Sequence, residues 1–216
     1  MCSKLRDKDL SQHWDKAYDK SEVEKLGWYE EDPVPSLELI SDLDLKKSAR
    51  ILNVGAGAST LIDSLLRLGY TGLIANDISA SALQKLKDRL GDDKNLVEWI
   101  VEDLLAPKSL LEIDAIDLWH DRAVLHFFTK PEQRIAYFQT LRQMVKLNGQ
   151  VIIAAFNLDG AEMCSGLPVY RYNLNMLENT LGDDFKVETS FNYTYIQPSG
   201  NSREYIYSSF IRQKVT

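Results

Sequence analysis

From about residue 50 to residue 156, short apolar runs alternate with longer segments in which apolar positions recur every three or four residues. The first kind reads as buried strand and the second as helix with one apolar face. Residues 50–55 (RILNVG) predict a strand, and Leu61, Leu65 and Leu68 then recur at helical spacing until Gly69 stops the helix. Residues 72–77 (GLIAND) predict strand two. Ser79 can cap a helix whose apolar face is Ala82, Leu83, Leu86 and Leu90, with Gly91 as its stop. Strands three, four and five fall on residues 97–103 (VEWIVED), 116–120 (IDLWH) and 151–156 (VIIAAF). Before the fifth, Pro131 opens a helix with Ile135, Phe138, Leu141 and Val145 inward, ending at Asn148-Gly149.

A short helix over 174–181 precedes FKVETSFNYTYI and REYIYSSFI, which flank Pro198-Ser199-Gly200-Asn201 and predict an antiparallel hairpin. The expected fold is α/β, a doubly wound, seven-stranded, mostly parallel sheet closed by that C-terminal hairpin. Residues 1–48 are helical in pattern and rich in aromatics (Trp14, Tyr18, Trp28, Tyr29), with Pro33 and Pro35 before a further helix. They are expected to form an N-terminal helical lid on a single domain spanning 1–216.

Composition removes several function classes. Lys and Arg total 25 against 32 Asp and Glu, a formal charge of −7 that repels a phosphate backbone, so no nucleic-acid partner is expected. The longest apolar runs fall far short of the about 20 residues that cross a bilayer, and MCSKLRDKDL carries no signal-peptide run. Cys2 and Cys164 cannot make a disulfide framework. The expectation is a cytoplasmic protein without membrane attachment, a monomer or weak homodimer acting on a small-molecule substrate, with no metal site.

The sharpest chemical signal is ILNVGAGAS, in which a strand runs into Gly55, Ala56 and Gly57 and then opens a helix. Glycines there let the backbone approach a ligand closely. About twenty residues on, Asp77 ends strand two, where an acid can accept hydrogen bonds from both ribose hydroxyls. Strand three also ends in an acid, Asp103, placed to accept from an adenine amine, while Ile78 and Leu104 can sandwich the ring. The loop has Ser59 at the third glycine position and no Walker lysine, which disfavours a polyphosphate and leaves a nucleoside without phosphates.

NVGAGAS, Asp77, Asp103, IDLWHDRAVLHFF and KLNGQVIIAAF, in that order, resemble the motifs of class I S-adenosylmethionine-dependent methyltransferases along most of the chain. The resemblance implies S-adenosylmethionine as cofactor, held by Asn53, Gly55, Ala56, Gly57, Asp77, Ile78, Asp103, Leu104 and His120. Asn53 stands where the family has an acid, which removes a charge that would help hold the ligand's amino group. HWDKAYDK followed by GWYEEDPVPSLEL resembles the N-terminal aromatic arrangement of small thiol- and thiopurine-type methyltransferases. It implies that Trp14, Tyr18 and Trp28 cover the cofactor.

Methyl transfer from a sulfonium is a direct displacement, so the protein mainly aligns the partners and excludes water. An acceptor that loses a proton needs a base, and Asp121 and His120 at the end of strand four lead as candidates, with His126 in a minor role. Trp28, Arg122, Tyr170 and Arg171 are the expected acceptor contacts, the last two from the long loop DGAEMCSGLPVYRYN. Cys164 reads as a small buried residue rather than a nucleophile. The leading function is methyl transfer to a small molecule, foremost a thiol. The alternatives are a protein lysine methyltransferase and a non-catalytic cofactor-binding subunit.

Overall fold

The computed structural model describes residues 3–214, so Cys2 lies outside it. Seven strands form one sheet: β1 (Arg50–Val54), β2 (Gly72–Asp77), β3 (Val97–Val101), β4 (Ile116–Arg122), β5 (Val145–Phe156), β6 (Phe185–Ile196) and β7 (Ser202–Arg212). Their order is β3-β2-β1-β4-β5-β7-β6. The first five pair in parallel, and β7 runs antiparallel to both β5 and β6. The chain steps outward from β1 to β3 and then returns to β4. The loops leaving β1 and β4 therefore part in opposite directions and open a crevice at the carboxyl edge, where ligands of such sheets bind.

The helices are α1 (Ser3–Lys20), α2 (Val34–Asp42), α3 (Leu61–Arg67), α4 (Ala80–Leu90), α5 (Pro131–Met144) and α6 (Leu174–Leu181). Ser79 caps α4 by accepting from the Ala82 amide at 3.0 Å, and Gly91 at φ 58° ends it. Strand alternation divides the core. Trp119 and Ile153 face Tyr137, Phe138 and Leu141 of α5. Their neighbours Leu118 and Ile152 face Leu65 and Leu83 of α3 and α4. Fully burying each such aliphatic side chain stabilises by about 1.5–3 kcal/mol, so the sheet is held rigid from both faces.

The expected seven strands and closing hairpin are present, with shifted ends, among them β4, which runs on to Arg122. β5 begins at Val145 rather than Val151, because the Asn-Gly pair that was to end the preceding helix sits inside the strand. Ile116 pairs with Val145 and Leu118 with Gln150, so the extra β5 residues bulge out, with Asn148 at φ 61°. β3 stops at Val101. Glu102 turns its carboxylate onto the Ser109 and Leu110 amides, both at 3.0 Å, and leaves the ladder to cap a 3-10 turn. Among the described residues no helix is long and apolar enough to cross a membrane.

Candidate active site

A single cavity at the carboxyl edge gathers the ends of β1, β2, β3 and β4 under the N-terminal segment. The turn after β1 has to pass close beneath its neighbours. Gly55 at φ 56° and Gly57 at φ 53° adopt the left-handed region, and a β-carbon on them would overlap Val124 and the Tyr18 hydroxyl respectively. Asp77 is buried and accepts from the Gly57 amide and the Ser79 amide, each at 2.8 Å. Burial pushes its carboxyl up to about 6, against the lowering pull of those amides. Asp103, Ile78 and Leu104 line the same end of the cavity, with Phe127 and Phe128. Asp103 also accepts from the Leu105 amide at 2.9 Å. A carboxylate at the end of β2, another just past β3 and apolar faces between them are a donor and acceptor set that could hold an adenosyl group.

The roof comes from α1 and the segment after it. Trp14 packs edge-to-face on Trp28 and Phe127, with centroids 5.5 and 5.0 Å away. The Trp28 indole donates to the Tyr18 hydroxyl at 2.9 Å. Asp15 pins α1 to the start of α4, accepting from Ser79 Oγ at 2.7 Å and the Ser81 amide at 3.2 Å. Ser11 adds a bond to the Ile78 carbonyl at 3.1 Å.

Away from the adenosyl end, the cavity is lined by Trp28, Glu30, Ser36, His120, Arg122 and Cys164. His120 is buried between Asn53 Oδ1, 3.0 Å from its Nδ1, and Ser36 Oγ, 2.9 Å from its Nε2. An oxygen acceptor at Nδ1 fixes the proton there, which leaves Nε2 to accept from the serine. Burial, reinforced by the Arg122 charge, pushes the imidazole down to about 3, so it stays neutral. Asn53, in place of an acid, completes this uncharged chain. Arg122 pairs with Glu30 (Nε to Oε2, 2.8 Å), donates to the Trp28 carbonyl at 3.0 Å and lies over the rings of Tyr195 and Tyr205. The Cys164 thiol is pushed by burial up to about 11 and is therefore protonated.

Several expected positions lie elsewhere. Asp121 points to the opposite face of the sheet from His120, as alternate strand residues must. Both its oxygens are engaged, by the Val124 amide at 2.9 Å and by the Leu125 amide and Tyr137 hydroxyl at 3.1 and 2.6 Å. It is a buried cap for the turn after β4, not a base in the cavity. His126 sits in a 3-10 turn rather than a helix and is fully buried against Phe127 and Phe156. Tyr170 stacks under Arg134, 3.9 Å from guanidinium to ring centre, and Arg171 holds the Leu158 and Gly160 carbonyls of its own loop. The remaining expected residues line the cavity, except Gly57, which contributes its amide to Asp77.

Glu30, Ser36 and Asp15 escaped sequence reasoning, as did Arg89, whose guanidinium holds the carbonyls of Ala58 and Ser59 at 2.7 and 2.6 Å. Their partners lie about 30 to 90 residues away, beyond the reach of any local pattern.

Comparison with known proteins agrees with this geometry. Residues 52–151 match the methyltransferase domain family model. The chain is 25% identical over 172 residues to mouse EEF1A lysine methyltransferase 2, covering 70% of this chain and 67% of that one. A SAM-dependent methyltransferase from Anabaena variabilis superposes with a TM-score of 0.76 at 15% identity, covering 96% and 95% of the two chains. The 1,6-didemethyltoxoflavin-N1-methyltransferase of Burkholderia thailandensis, solved with 1,6-didemethyltoxoflavin and S-adenosylhomocysteine, superposes at 0.69 and 17% identity, covering 98% and 89%. With its matched domain, its sheet order and a cradle suited to an adenosyl group, the chain is an S-adenosylmethionine-dependent methyltransferase of the class I fold.

Proposed function

We propose that this enzyme methylates a small-molecule thiol enclosed beneath its N-terminal lid. Bound S-adenosylmethionine supplies an electrophilic methyl group on a sulfonium. Asp77 accepts from the ribose hydroxyls, Asp103 from the adenine amine, and Ile78 and Leu104 flank the ring. The turn at Asn53, Gly55, Ala56 and Gly57 presents backbone to the amino-acid end, and Trp14, Tyr18 and Trp28 exclude water from above.

The observation that carries the acceptor class is the state of His120. Its two nitrogens are occupied and it is held neutral, so the imidazole that lines this end of the cavity is withdrawn from base catalysis. A thiol, with an ordinary pKa of about 8.5, can ionise with no stronger base than a carboxylate, whereas an alcohol or an alkylammonium needs a stronger one. Enclosure fits a small acceptor, since Trp28, Tyr29 and Pro33 wall this end. The Burkholderia neighbour, an N1-methyltransferase solved with the small molecule 1,6-didemethyltoxoflavin, supports a small acceptor though not its being a thiol.

A second reading, a protein lysine methyltransferase, is favoured by the mouse relative and by the acidic charge of −7, which suits a basic target segment. Release of S-adenosylhomocysteine, measured against a panel of small thiols, carboxylates and amines and against whole-proteome lysate, separates the two. Turnover on dialysable thiols is expected. Labelled methyl appearing only in a protein band would sink the thiol reading in favour of lysine modification.

A further inference from the structure

Among the described residues Glu30 is the carboxylate at the acceptor end of the cavity; Asp77, Glu102 and Asp103 belong to the adenosyl end. It lies in an irregular segment between a 3-10 turn (Val23–Lys25) and α2, and hydrogen bonds from distant elements hold that segment. Arg122 of β4 takes the Glu30 carboxylate and the Trp28 carbonyl. Thr60 at the start of α3 donates to the Glu30 carbonyl at 2.9 Å. From β6, the Tyr195 hydroxyl donates to the Tyr29 carbonyl, and Gln197 just beyond the strand donates to the Gly27 carbonyl at 2.7 Å. Three separate parts of the fold, through four side chains, thus converge on four consecutive residues whose own sequence dictates no structure. The side chain so fixed is 9% exposed and charged. An ionised group is costly to bury even when paired, and replacing such a pair by apolar residues is often neutral or stabilising. Pre-organisation of one carboxylate at a wall of the cavity is what proton transfer requires.

We infer that Glu30 receives the proton that the acceptor loses during methyl transfer. The inference rests on the small-thiol reading above. The acceptor S–H bond breaks with its proton passing to a Glu30 oxygen, while the sulfur forms its bond to the methyl carbon. The methyl carbon's former bonding pair stays on the sulfur of the cofactor, which leaves as the neutral thioether, and Glu30 later gives the proton to water. Arg122 serves as the positioning residue, holding the carboxylate through Nε. The other groups around the pair, the phenols of Tyr195, Tyr205 and Tyr207, stay protonated, their acidity suppressed first by burial. Burial also raises the Glu30 carboxyl above the ordinary glutamate range despite Arg122, which strengthens it as a base.

The test compares two aromatic thiols of similar size near neutral pH: benzyl mercaptan, which is protonated, and 4-nitrothiophenol, which is already ionised. In Glu30→Gln, kcat/KM for benzyl mercaptan is expected to fall by about a hundredfold, the low end of general-base contributions, while the 4-nitrothiophenol rate falls by less than about threefold. S-adenosylmethionine affinity by calorimetry is expected to stay within about twofold. Equal losses on both thiols, the signature of a latch that merely shapes the pocket, would overturn the assignment. So would no loss on either. Should the glutamine variant not fold, Glu30→Asp keeps a carboxylate but withdraws it, and the same unequal loss is expected, with equal losses overturning it. Failure of the wild-type enzyme to turn over either thiol is a different result, which removes the thiol reading and the role of Glu30 with it.

Discussion

The Tyr18 hydroxyl occupies the space that a β-carbon on Gly57 would fill, so the glycine turn after β1 and the N-terminal segment are fitted to each other at one point. Gly57 at φ 53° is also in a conformation that costs an L-residue about 1–2 kcal/mol. Gly57→Ala is expected to push Tyr18 away, break its bond from Trp28 and weaken S-adenosylmethionine binding by at least about tenfold, the factor that 1.4 kcal/mol represents. Titration calorimetry reads this directly, and an unchanged affinity would show that lid and turn are independent.

Asp121→Asn should damage stability and spare chemistry. The carboxylate caps two amides and accepts from Tyr137, which itself accepts from the Trp119 indole at 3.0 Å. Losing part of this buried network is expected to cost about 1–3 kcal/mol in denaturant melts. Turnover of the folded variant should remain within about threefold of wild type, since general-base loss would give about a hundredfold or more. A large turnover loss with unchanged melting would restore Asp121 as a base.

Cofactor affinity should fall as the pH drops below about 6. Ribose hydroxyls donate to an ionised Asp77, and burial raises that carboxyl from 3.8 to about 6 in the free protein, so acidification protonates it and removes the acceptor. Asp77→Asn should bind weakly at every pH and lose this dependence. Affinity that is flat between pH 5 and about 7 in the wild type would contradict the assignment of Asp77 to the ribose.

Stability carries a second pH signature, of opposite sign for the two kinds of buried group. Asp77 and Asp121, raised to about 6, favour the folded state most below their ordinary value of 3.8, and that contribution is lost as pH rises through 6. His120 and His126, lowered from 6.5 to about 3, favour it above 6.5, and theirs is lost as pH falls toward 3. His126→Leu deletes one proton from the histidine side. Relative to wild type, its folding free energy should therefore improve on acidification from about 6 to 4 by up to about 1.4 kcal/mol per pH unit. Parallel stability profiles for the two proteins would show that His126 is not held neutral.

The sheet was readable in the sequence because burial imposes periodicity: the buried strands of β1, β2 and β4 are runs such as RILNV and GLIAND that no amphipathic helix could accommodate. The residues expected to hold the adenosyl group meet in one cavity for a related reason. They sit at strand ends, where position along the chain fixes position in space, as with Asp77. The acceptor end was less readable. Asp121 and His120 were both expected in the cavity, although neighbours on one strand face opposite sides; the parity of β4, with Trp119 in the α5 core, was the available signal. Tyr170 and Arg171 were misplaced because a loop after β5 can fold back on itself, and Arg171 finds its partners within 13 residues. Glu30 could not be found from the sequence at all, since an acid in EEDP resembles any solvated turn until Arg122, 92 positions on, is brought to it.

The bonds that fix residues 27–30 also bear on the order in which the molecule assembles. Tyr29 and Tyr195 are 166 residues apart, and Gly27 and Gln197 are 170 apart. Contacts of such separation close late, because the chain must pay their loop entropy before they return anything. The parallel half of the sheet, with Asp77 and the glycine turn, depends on no such contact and can form while the hairpin is still being synthesised. A nascent chain would thus hold the residues of the S-adenosylmethionine seat before Tyr195 and Gln197 arrive to complete the wall that Arg122 and Thr60 have begun.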